Sequence, residues 1–152
     1  MVSYAAIAEK DLMPLLTRVY IRTAFLYLLV GMVLSVLLSL LSSRLVSGLA
    51  VPLTPTYLHI MIVGWITQLI FGVVYWMFPR YSQDRPRGYD QLAWASYILL
   101  NLGLILRIIA EPLITPQTDV AELGPLLVVS AALQWLAGVA FVLNTWPRVK
   151  ER

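Results

Sequence analysis

Four long apolar runs divide the chain, and its charged residues gather between those runs. Between Arg22 and Arg44 lie 21 uncharged residues, TAFLYLLVGMVLSVLLSLLSS. No formal charge then appears until Arg80, but the stretch VSGLAVPLTP holds a glycine and two prolines and reads as a loop. The pattern therefore predicts helices over residues 20–42, 56–79, 91–113 and 124–146. Each run approaches the roughly 20 residues a helix needs to cross about 30 Å of hydrocarbon. Lipid offers backbone amides no partner, so runs of this length must be helical. The expected architecture is an all-α membrane protein, a single four-transmembrane-helix bundle covering residues 1–152.

Basic residues give the crossings a direction. Lys10, Arg18 and Arg22 precede the first run, Arg80, Arg85 and Arg87 separate the second from the third, and Arg148, Lys150 and Arg152 follow the fourth. Nine of the eleven basic residues thus fall on one side, which the positive-inside rule assigns to the cytoplasm together with both termini. Arg44, Asp119 and Glu122 are expected on the outside. Trp76, Trp94 and Trp146 lie near the cytoplasmic boundary, where interfacial aromatics belong. The first ten residues, MVSYAAIAEK, lack the early basic region of a cleavable signal, so the first run reads as an uncleaved signal-anchor. The expected location is a prokaryotic cytoplasmic (inner) membrane.

Composition agrees. With 60% hydrophobic and 12% charged residues, the chain has too little charge to solvate a water-exposed surface, and lipid becomes part of its solvent. The basic residues mark membrane edges, so no nucleic-acid partner is expected. The absence of cysteine excludes disulfides, thiolate metal sites and covalent c-type haem attachment.

Chemistry concentrates in the second run, HIMIVGWITQLIFGVVYWMFPR, which opens with the only histidine, His59. A lone imidazole about one turn inside the outer end of a span reads in two ways. It ligates haem iron or another metal, or it bonds a neighbouring helix. One histidine is too few for a protein-only zinc or copper site. Gly64, Gln68 and Gly72 recur every four residues, forming a groove that admits a flat macrocycle or another helix. Arg107 and Glu111 are ionisable residues inside the third run, and because the helices alternate in direction Arg107 shares the depth of His59. Arg107 reads either as a partner for a haem propionate or as half of an i,i+4 ion pair with Glu111. Tyr57 and Arg44 are weaker candidates for the same contact. Met61 faces elsewhere on the helix and Met32 lies too deep, so neither makes an attractive sixth ligand.

His59, Trp65, Phe71-Gly72, Tyr75 and Pro79 together resemble the second helix of the catalytic subunit of haem–copper oxidases, especially the nitric oxide reductase branch. The likeness extends to the third run and covers about fifty residues. It implies that His59 is an axial ligand, and hence the metal ligand, of a haem b near the outer face, with Arg107, Gly64, Gln68 and Tyr57 around the cofactor. Members of that family have about twelve helices and several more histidines. Without those histidines this chain cannot form the binuclear centre, so oxygen or nitric oxide reduction is not expected of it alone. A six-coordinate haem remains open if two chains share it, each giving His59 across the twofold axis of a homodimer. The function implied is electron transfer, or haem or gas sensing, with a respiratory-chain partner. The alternative is a cofactor-free accessory or assembly subunit of a respiratory complex.

Overall fold

The computed structural model describes residues 13–43, 47–83, 85–114 and 120–149. Among them there is no strand. Helix α1 spans Leu15–Ser43, α2 spans Ser47–His59, a π-helical segment covers Ile60–Thr67, and α3 spans Gln68–Met77. Helix α4 runs Asp90–Ala110 and tightens into a 3₁₀ turn at Glu111–Leu113. Helix α5 runs Val120–Thr145 and ends in a second 3₁₀ turn, Trp146–Arg148. Four stretches are long and apolar enough to cross a membrane: Leu15–Leu41, Leu53–Met77, Asp90–Leu113 and Leu123–Arg148. Lys10, Arg44, Asp119, Lys150 and Arg152 lie outside the described residues, as do the side-chain surroundings of Glu122.

The segment expected to be a loop is largely helix, because α2 begins at Ser47 and carries Pro52 and Pro55. Proline removes one helical hydrogen bond and crowds the carbonyl four residues earlier. Such breaks are tolerated in apolar helices when neighbouring groups take up the freed backbone. The wider π-helical turns begin five residues after Pro55, and π segments occur often at functional sites. Their consequence here concerns register. In a regular α-helix, positions four apart drift by about 40° per step. The wide turns offset that drift, so Ile60, Gly64, Gln68 and Gly72 all stay buried on one face.

That face packs on α1. An added Cβ at Gly72 would lie 2.7 Å from Tyr20 Cβ, and one at Gly64 would lie 2.7 Å from Tyr27 Cγ. Of the two occupants admitted for the groove, it is a helix, α1, that fills it here. Tyr20 is buried and meets Tyr97 edge-on at 5.0 Å, an aromatic pair contributing about 1 kcal/mol beyond its buried area. Thr23 and Tyr97 hydroxyls bond at 2.9 Å, and Tyr27 donates to Asn101 Oδ1 at 3.2 Å. Helices α4 and α5 approach through small residues. Ser96 donates to the Ala137 carbonyl at 2.9 Å and Ser130 to the Gly103 carbonyl at 2.7 Å. The interior is thus rich in small and polar side chains, including Thr17, Ala24, Gln68, Ser96, Ser130 and Ala137. The large aliphatic residues point outward, as with Leu26, Leu29, Val33, Val36 and Val128. A water-soluble bundle has the reverse arrangement.

At one end of the bundle the α3–α4 connection is pinned to α5. Asn144 Oδ1 accepts from the Tyr89 amide at 2.7 Å, and Asn144 Nδ2 donates to the Arg87 carbonyl at 3.3 Å. Gly88 adopts φ +82° beneath it, and a Cβ there would meet Asn144 Oδ1. The opposite end holds His59 and Arg107.

Candidate functional site

His59 closes α2, and Arg107 and Glu111 follow one another by one turn at the end of α4. The antiparallel course of the two helices brings these three side chains together, half-shielded, with the Glu111 side chain 9% exposed and that of His59 28%. Arg107 Nη1 lies 3.0 Å from His59 Nε2. A guanidinium can only donate, so Nε2 is the acceptor and the ring proton resides on Nδ1. Nδ1–H then points at the Pro55 carbonyl, 2.9 Å away, and at Glu111 Oε1, 3.2 Å away. The carbonyl of Pro55 is four residues back on the same helix, so the bond fixes the ring against its own backbone. Arg107 Nη1 also reaches Glu111 Oε1 at 3.4 Å, forming the i,i+4 pair in addition to the contact with His59.

The far side of the guanidinium is held by α5. Arg107 Nε donates to Ser130 Oγ at 3.2 Å and Nη2 to the Leu127 carbonyl at 3.5 Å. Ser130 is itself fixed by its bond to the Gly103 carbonyl and by Gln134 Nε2 at 3.1 Å. A planar cation with several donors thus ties three helices at one level, which a lysine could not do. Glu111 Oε2 is buried without a hydrogen-bond partner among the described residues.

The remaining sequence candidates lie elsewhere. Tyr57 is half-buried two residues before His59 and outside this hydrogen-bonded set. Gly64 is closed by Tyr27 and Leu104. Gln68 is fully buried at the middle of its helix with neither amide atom partnered, and Trp65 Nε1 is likewise buried and unpartnered. Arg44 is among the residues not described. Ser130 and Gln134 were not singled out from the sequence, because serines and glutamines in apolar helices carry no signal until a neighbour is placed beside them. An apolar groove of about 480 Å³, lined by residues including Val33, Thr56, Ile60 and Ile108, opens between α1, α2 and α4. None of His59, Arg107 and Glu111 lines it.

The donor set narrows what the imidazole could hold. With Nδ1–H engaged by a carbonyl and a carboxylate, the ring has the second-shell support usual for a metal-ligating histidine, and Nε2 carries the lone pair. A bare divalent cation at Nε2 would lie beside the Arg107 guanidinium and be repelled by it. A haem brings its own propionate carboxylates to offset that cation, so haem fits this site better than a free metal ion. Comparison with protein-family models, with curated proteins and with solved structures finds no match.

Proposed function

We propose that this chain is an integral membrane protein that binds a b-type haem through His59 Nε2, with Arg107 serving a propionate, and that it works in electron transfer or in haem or gas sensing. The observation that carries the reading is the preset imidazole, with Nδ1–H held by Pro55 and Glu111 and the Nε2 lone pair turned to a cation. Membrane insertion is supported by the outward-facing leucines and valines and by the collection of basic residues at one end. That end is assigned to the cytoplasm, which puts His59 near the outer face of the membrane.

A bound haem would supply a reversible one-electron couple. The chain's own residues orient the ligand ring, hold its proton on Nδ1 and provide the counter-charge. Binding requires Arg107 to leave Nε2, and its bonds to Ser130 and Leu127 keep it close by as it does so. With one histidine per chain, we place two His59 residues on one iron across a homodimer. Detergent-purified protein should then show a Soret band with sharp α and β bands on reduction, and one haem per two chains. His59→Ala should abolish the bands, and Arg107→Ala should lower haem retention or shift the redox potential. One haem per chain would overturn the shared site.

One observation favours a second reading. The Nε2 lone pair already has a partner in Arg107, so the cluster is complete as a clamp between helices. On that reading the chain is a cofactor-free accessory or assembly subunit of a respiratory complex. A colourless, well-folded preparation from haem-supplied cells would select it.

A further inference from the structure

The arginine-rich end of the bundle holds a second polar arrangement, remote from His59. Arg148 ends the chain's last helical turn and is fully buried. Its Nε donates to the Pro79 carbonyl at 3.1 Å, and Nη2 donates to the carbonyls of Tyr75 and Phe78 at 3.0 and 2.8 Å. These are the open carbonyls at the end of α3, so Arg148 caps that helix. All three acceptors are neutral. Among the described residues no carboxylate pairs with the guanidinium, and Nη1 is buried with no hydrogen-bond partner.

A cavity of about 870 Å³ adjoins it, walled by Arg80, Arg87 and Arg148 and by Trp76, Ser82 and Gln83. No acidic residue is among its lining residues. Three cations with no lining anion, one of them buried with a spare donor, make a site that lacks its counter-charge. The wall also has an apolar side, in Trp76, Met77 and Phe78. Fully buried charges are ordinarily paired, and basic pockets between helices at a membrane face suit anionic lipid headgroups.

We infer that this cavity binds a phosphate-bearing anion, presented as the headgroup of an anionic phospholipid. Arg80, Arg87 and the free Nη1 of Arg148 surround the phosphate, and Trp76 and Met77 lie along the start of the acyl chains. The ligand completes the cap on α3 by neutralising the arginine that makes it.

The test uses the full chain, purified in detergent, stripped of lipid and titrated with dioleoyl phosphatidylglycerol, dioleoyl phosphatidylcholine or inorganic phosphate, with bound lipid counted by native mass spectrometry. The expected result is one tightly held phosphatidylglycerol per chain and much weaker phosphatidylcholine. Arg80→Gln and Arg87→Gln should each weaken it roughly fivefold, and Arg22→Gln, an exposed arginine on α1 outside the cavity, should leave it unchanged. These variants spare the helix cap, whereas Arg148→Gln is expected to lower thermal stability as well. Displacement of the lipid by millimolar inorganic phosphate would keep the site and assign it a soluble phosphate. Equal retention of the two lipids, or equal weakening by Arg22→Gln, would overturn the inference.

Discussion

Replacing Gly103 by alanine should separate helix packing from helix propensity, because a second glycine supplies the control. A Cβ at Gly103 would lie 2.8 Å from the Ser130 carbonyl oxygen, 2.9 Å from Gln134 Cγ and 3.1 Å from Leu133 Cβ. The nearest of these is backbone and cannot rotate away, so α5 must shift. Overpacking of this kind costs about 1–3 kcal/mol. Alanine returns about 1 kcal/mol of intrinsic helix preference, and the loss of the Ser130–Gly103 bond takes away about 0.6 kcal/mol, a typical value for side-chain bonds in membrane helices. The net expectation is destabilisation by about 1–2 kcal/mol. The same shift reaches the polar cluster, because Ser130 also holds Arg107 Nε. At Gly138 an added Cβ meets nothing within 4 Å, so Gly138→Ala should be neutral or stabilising by up to about 1 kcal/mol. Thermal unfolding of both variants in one detergent would show the contrast. A Gly103→Ala protein as stable as Gly138→Ala would refute the close α4–α5 seam on which the position of Arg107 depends.

Two other substitutions probe opposite ends of the bundle's polar economy. Asn144→Ala removes both bonds that hold the α3–α4 connection and should cost about 1–3 kcal/mol, with faster proteolytic cutting between Arg80 and Asp90. An unchanged cutting rate would contradict the pinning. Gln68→Leu replaces a buried, unpartnered amide by an apolar side chain of similar size. It should be neutral or raise stability by about 1–2 kcal/mol. A clear loss of stability in a melting experiment would mean that the amide has a partner in the working protein.

The four helices are legible in the sequence because charge interrupts the apolar runs at their ends, and little else was needed. Their boundaries are less so. Helix α1 begins at Leu15, before Arg18 and Arg22, because long basic side chains can remain on a helix while their heads reach polar surroundings. The prolines at 52 and 55 read as loop, yet the chain stays helical through both. No sequence pattern announced the π-helical turns, whose effect is to hold a four-residue stripe in line. The shared depth of His59 and Arg107 followed from counting residues along antiparallel helices. Which atoms meet did not, because that depends on Ser130 and Leu127 fixing the guanidinium from a third helix. Asn144 and Arg148 were unreadable for a similar reason. Arg148 served as a marker of topology, and only the fold reveals that it is buried against the end of α3.

The most direct test of the central claim is the visible absorption spectrum of the purified full chain, expressed in haem-supplied cells and recorded before and after reduction. The account predicts a Soret band, sharp α and β bands in the reduced state, one haem per two chains, and loss of all three in His59→Ala. A folded, monodisperse preparation without visible absorbance, or a spectrum that His59→Ala leaves intact, would contradict it.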